Sequence, residues 1–201
     1  MTVENDYEKA EIRGRQAFQR LIAENPKQAR RLGSLLFEKT DARYDCSFTW
    51  DGVPCIAEIK ERNHGISKYD TYLLERGKWM SLAWHHRKGT QVYYVMLFDE
   101  GNGNHTGLMF DLSRRFEDWG LNGEGHFTMS KQPTKTLENL GTREKLICYL
   151  VPFEHDIKFK QAIDENKHST RRNGDVENEL PDYGDERLRS YEAPSNRCQT
   201  T

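Results

Sequence analysis

The chain has 201 residues, 31% of them charged and 35% apolar, with a formal net charge of −2. That length allows one domain with a real core, and the polar balance assigns part of the chain to solvent. No apolar run reaches the length of a membrane span, and Met1 to Lys9 is too polar for a signal peptide, so the expectation is a soluble, cytoplasmic protein with no membrane partner.

From the N-terminus, a first helix is expected over Asp6 to Ala23. At 100° per residue Tyr7, Ala10, Gly14, Ala17, Phe18, Leu21 and Ile22 gather on one face, and Glu11 interrupts it. Asn25-Pro26 reads as a cap and a first helical residue, predicting a second helix from Lys27 to Glu38. Tyr44 to Trp50 and Val53 to Lys60 then read as strands joined by Asp51-Gly52, the pair favoured in a two-residue type I′ turn. Past a polar link, Ser67 and Asp70 are candidate caps for a helix reaching about Arg87. Its apolar residues spread around so much of the circumference that no buried face stands out.

Gln91 to Phe98 is a nearly continuous apolar run, the pattern of a strand covered on both faces. A loop rich in Gly and Asn from Asp99 to His105 leads to a strand at Thr106 to Leu112, with weaker strand signals at His126 to Ser130 and Lys145 to Val151. From Asp164 onward apolar residues thin out, a composition that cannot offset the entropy of folding, so a domain over residues 1–163 and a disordered tail over 164–201 are expected. That tail holds nine acids against six basic residues, whereas Lys60 to Thr90 holds seven basic residues against three acids. The acidic balance is therefore mostly tail, and a basic region surrounds the exit of the hairpin. The four cysteines lack CxxC spacing and read as free thiols; the seven histidines show no zinc spacing.

The hairpin concentrates the chemistry. With Asp51-Gly52 as the turn, Trp50 faces Val53, Thr49 faces Pro54, Phe48 faces Cys55, and Asp45 faces Glu58. Lys60, two residues beyond Glu58, shares its face. Like charges directly opposite each other destabilise a sheet, so the acidic pair asks for a compensating cation, a divalent metal being the obvious one.

Helix, hairpin, helix and strand, with Asp45 separated by twelve residues from Glu58-Ile59-Lys60, resembles the core of the PD-(D/E)XK nuclease superfamily. The spacing is similar to that of Holliday-junction resolvases and VRR-NUC-like nucleases. The run Lys68-Tyr69-Asp70-Thr71-Tyr72-Leu73-Leu74-Glu75 looks like phage and prophage members, while Tyr44 stands where the motif name has Pro. The resemblance implies an α/β fold with a restriction-endonuclease-like core, a mixed central sheet flanked by helices. It also implies hydrolysis of DNA phosphodiester bonds with Mg²⁺ or Mn²⁺ on Asp45, Glu58 and the carbonyl of Ile59, and with Lys60 orienting water.

By the same resemblance Glu11 on the first helix and Lys78 on the later helix are supporting residues. Lys27, Arg30, Arg31, Arg62, Lys68 and Arg76 are candidate phosphate contacts. Branched DNA is the narrower substrate expectation, and a homodimer is among the expected assemblies. The alternatives are a catalytically inactive nucleic-acid-binding module of the same fold in a phage or defence complex, and a structural protein whose hairpin merely carries charge.

Overall fold

In the computed structural model, which describes residues 3–39, 42–101, 104–133 and 142–160, the chain opens with helix α1 (Val3–Ala23). Its expected apolar stripe is buried through Ala17, Phe18, Leu21 and Ile22. A single turn, α2 (Pro26–Ala29), leads into strand β1 (Leu32–Phe37), which pairs antiparallel with β2 (Cys46–Trp50). The predicted second helix is thus a strand from Leu32 onward. Leu32 faces Trp50 and Leu35 faces Phe48, so three steps on β1 match two on β2. This bulge puts residues i and i+3 on one face, imitating a helical stripe.

β2 turns into β3 (Val53–Arg62) through Asp51 and Gly52, whose φ values of 51° and 82° suit a type I′ turn. The predicted register holds from Trp50↔Val53 to Phe48↔Cys55 and on to Cys46↔Ala57. Arg31 secures the turn from outside: its backbone carbonyl accepts from Asp51 N–H at 2.8 Å, and its guanidinium holds the Asp51 carboxylate at 2.6 Å.

After a 3₁₀ turn at Ile66–Lys68 comes a short strand, β4 (Tyr72–Glu75), and only then helix α3 (Arg76–His86). The predicted single helix joined these two elements, which is why its apolar residues covered every direction. Tyr72 and Leu74 are buried at strand spacing, whereas Trp79, Leu82 and Ala83 are buried at helical spacing. β5 (Gln91–Gly101) then runs parallel to β3 and is buried from Val92 to Phe98, as the apolar run predicts. β6 (Asn104–Asp111), helix α4 (Leu112–Trp119), β7 (Thr128–Pro133), β8 (Thr142–Leu150) and β9 (Ile157–Lys160) complete the described chain.

The architecture is α/β. A mixed six-stranded sheet has the order β1-β2-β3-β5-β6-β9, and a second, three-stranded sheet has the order β4-β8-β7. α1 packs over the face that carries Cys46, Phe48, Ala57 and Ile59. α3, α4 and the second sheet pack over the opposite face, with Ile56, Tyr94, Met96 and Phe98. Alternation along β3 therefore directs Glu58 and Lys60 toward the α3 side.

Cys46, Cys55 and Cys148 are buried free thiols. No helix among the described residues is long and apolar enough to cross a membrane. The described residues fall within one compact unit, Met1–Ile163, and the expected polar tail lies outside them.

An added Cβ at Gly52 meets nothing within 4 Å, so a substitution there isolates the cost of its positive φ. Gly52→Ala is expected to lower stability by about 1 kcal/mol in urea denaturation, without altering the denaturant slope.

Candidate active site at the open end of the hairpin

The β2 ladder stops at Cys46↔Ala57, and the residue before it departs from simple register. Asp45 N–H donates to the Ala57 carbonyl at 2.9 Å, so Asp45 and Cys46 both answer to Ala57, as in a bulge. Asp45 is consequently not the direct cross-strand partner of Glu58 that the turn arithmetic predicts. Its carboxylate instead accepts from Ile59 N–H at 2.5 Å. The N–H and C=O of one strand residue point to the same edge, so the Ile59 carbonyl also looks toward the edge that β2 no longer covers. One corner of the sheet thus gathers the Asp45 carboxylate and the Ile59 carbonyl.

Glu58 sits beside that corner and is only 2% exposed. Lys60 Nζ reaches its Oε1 and Lys78 Nζ its Oε2, each at 2.9 Å. Lys78 also donates to the Arg43 carbonyl at 3.4 Å, tying α3 to the segment just before Asp45. The lysine side chains retain 46% and 31% exposure, whereas the Glu58 side chain keeps 2%. The cations that compensate the acidic pair in the folded chain are therefore these lysines, a balance the two-strand arithmetic did not contain.

The electrostatics of the pair are unequal. Burial, then the charge of Glu58, push the Asp45 carboxyl up to about 6, against the pull of Ile59 N–H, Lys60 and Lys78. Burial works to lower Lys60, but the Glu58 carboxylate, with Tyr94 and Asp45, outweighs it and the net displacement is upward, so Lys60 stays an ammonium group at neutral pH. Behind them Tyr94, aligned with Glu58 across β3 and β5, is pushed by burial to about 12, and its hydroxyl donates a hydrogen bond to the Leu73 carbonyl at 3.3 Å.

Asp45, Glu58, Lys60 and Lys78 thus come together, and the other sequence candidates lie elsewhere. Glu11 belongs to α1, over the opposite face of the sheet, and its carboxylate is held by Arg15 one turn later. Arg31 is engaged with Asp51 and lies over the Trp50 ring at 4.8 Å. With Lys27 and Arg30 it belongs to the turn end of the hairpin, about 20 Å along the strands from Asp45. Arg62 continues the Glu58 and Lys60 side of β3, Arg76 is the first residue of α3, and Lys68 lies in the 3₁₀ turn with Nζ over the Tyr69 ring at 5.5 Å. Sequence reasoning passed over Arg43, Trp84 and Lys88. Arg43 stands only two residues before Asp45, and the four-residue spacing of Trp84 on α3 and Lys88 just past its cap was the available signal.

Among the described residues no group of three or more His, Cys, Asp or Glu gathers. The oxygen donors at hand are the Asp45 and Glu58 carboxylates and the Ile59 carbonyl. A hard divalent cation that keeps several waters needs no more than this, so the donor set fits Mg²⁺ or Mn²⁺. No family model, curated protein or solved structure matches the chain.

A carboxyl held near 6 in the fold and near 4 when unfolded favours the fold below pH 4, and this contribution is lost as pH rises through 6. In EDTA, Asp45→Asn is expected to match the parent in stability near pH 4 and to exceed it by about 1–3 kcal/mol above pH 7, in paired urea titrations. Lys78→Met removes one counter-charge, so it should push Asp45 higher still and enlarge the gap.

Proposed function

We propose that the chain is a divalent-metal-dependent nuclease of the PD-(D/E)XK type that hydrolyses DNA phosphodiester bonds. The single observation carrying this reading is the cluster itself: a buried Glu58 between Lys60 and Lys78, beside the Asp45 carboxylate and the Ile59 carbonyl. The order of elements supports it: helix α1, the β2–β3 hairpin, helix α3, and strand β5 parallel to β3.

Phosphodiester hydrolysis needs an oriented water, relief of charge on the phosphoryl oxygens and help for the leaving oxygen. Asp45, Glu58 and Ile59 would hold Mg²⁺ or Mn²⁺, which supplies Lewis acidity when bound. Lys60, half exposed and fully charged, orients the attacking water and balances charge on the phosphate. Lys78 fixes the Glu58 carboxylate from the helix side. Asp45 is useful only when ionised, so its position near 6 gives activity a rising limb through that pH.

A second reading is favoured by one specific feature. Both Glu58 oxygens are already occupied by ammonium groups, as expected if the same fold binds nucleic acid without turnover. The two readings separate in a cleavage assay on plasmid, single-stranded and four-way-junction DNA with Mg²⁺ or Mn²⁺. The nuclease reading predicts cutting that rises from pH 5 to pH 7.5 and falls at least about 100-fold in Asp45→Asn and Lys60→Ala. Equal cutting by all three proteins would place the activity outside this site. Absence of cutting together with DNA binding would select the binding module.

A further inference from the structure

Helix α3 turns one side to the sheet and leaves another without cover. Trp79, Leu82 and Ala83 are buried and Lys78 reaches Glu58, whereas Met80 and Trp84 remain 39% and 42% exposed. Residues four apart on a helix lie one above the other, so Arg76, Met80 and Trp84 follow one another along an outer ridge, and Lys88, just past the C-cap Arg87, lies against its Trp84 end. Lys88 Nζ lies 3.6 Å from the centre of the Trp84 ring, and the Arg43 guanidinium lies 5.6 Å from it.

The tryptophan is held in place rather than loose. The His85 ring meets Trp84 edge-on at 4.8 Å and meets Tyr44 edge-on at 5.0 Å, which links α3 to the residue before Asp45. Burial, with Arg43 and Lys88 nearby, lowers the pKa of His85, so the ring packs as a neutral wedge at pH 7. Arg43 joins this platform to the site. Its side chain covers Trp84 while its carbonyl accepts from Lys78, whose other contact is Glu58.

A half-exposed indole flanked by an ammonium and a guanidinium group is complementary to an unpaired base and the phosphates on either side of it. We propose that Trp84, with Arg43 and Lys88, is a stacking platform for an unpaired nucleotide, so that the preferred substrate carries a single-stranded segment entering along α3. This deepens the nuclease reading and rests on it for the identity of the ligand as DNA. A base on Trp84 has its backbone led by Arg43 toward Lys78 and the carboxylate corner. Lys88 moves from the ring to a phosphate as the base arrives. A duplex gains little there, because its bases are already stacked on one another.

The experiment is binding in EDTA with Asp45→Asn as the parent, read by anisotropy of three labelled probes: a 12-mer oligo(dT), the matching blunt duplex, and an abasic 12-mer. The parent should prefer oligo(dT) to both other probes. Adding Trp84→Ala should weaken oligo(dT) binding roughly tenfold while changing duplex binding less than twofold, and Trp84→Phe should recover most of the loss. A melting temperature unchanged in Trp84→Ala guards against a folding defect; where it falls, Trp84→Phe becomes the deciding variant.

Equal affinity of the parent for abasic and base-bearing strands would overturn stacking and leave only a cationic surface, as for an acidic protein partner. No binding of oligo(dT), or no effect of Trp84→Ala, would overturn the platform outright. Binding with the predicted pattern but no cleavage by the unsubstituted protein would refute the nuclease reading while the platform stands.

Discussion

Burial of Glu58 in the middle of a strand is the constraint to which the rest of the domain answers. A carboxylate removed from water costs several kcal/mol unless it is paired and hydrogen-bonded on both oxygens. Lys60 comes with the strand, two residues along the same side. Lys78 does not, and it reaches Glu58 only because α3 lies across β3. What places α3 there is apolar: Trp79, Leu82 and Ala83 sink into the cluster formed with Ile56, Tyr94 and Phe110. The core thus aims an ammonium group at a buried acid.

The chain path follows from the same requirement. A parallel neighbour for β3 needs a crossover, and the segment between β3 and β5 carries β4 and α3 over the Glu58 side of the sheet. β4 is then taken up by β8 and β7 into the second sheet, which closes that side. At the open end of the hairpin, beside Glu58, the demand reverses. β2 stops early, the strand bulges at Asp45, and backbone groups of Ile59 are left facing a side chain rather than a strand. Regular pairing would have satisfied those groups more simply. The departure puts an ionisable carboxylate, displaced to about 6, where the proposed cation chemistry would use it.

Much of this was legible in the residues. Asp51-Gly52 carried the turn and the register as far as Ala57, and the apolar run from Gln91 carried the buried central strand. The α1 stripe carried its own burial. The errors share a cause, since a local signal does not say where its element ends. The Asn25-Pro26 start opens only the single turn Pro26–Ala29 before β1 begins, and β4 joined to α3 without a break gave a helix with no face. α4 is short and buries Arg115, whose charge disguises it. That arginine is held by Asp156 at 2.6 Å from 41 residues away, a pairing no local pattern contains. The site divides in the same way. Asp45, Glu58 and Lys60 were found because they share a hairpin. The contact of Lys78 with Glu58 spans the crossover. The basic residues near the turn were grouped with the site by charge alone, although the hairpin holds them at its far end.

The central claim is that the corner formed by Asp45, Glu58 and Ile59 holds a divalent cation against two resident lysines. Calorimetric titration of the metal-free protein with Mn²⁺, at pH 5 and at pH 7.5 in buffers of different ionisation enthalpy, tests it most directly. A cation held at this corner gives one site that binds more tightly at pH 7.5, releases a proton on binding at pH 5 but not at pH 7.5, and is lost in Asp45→Asn. Binding that is independent of pH and unchanged by that substitution, or no binding at either pH, would contradict it.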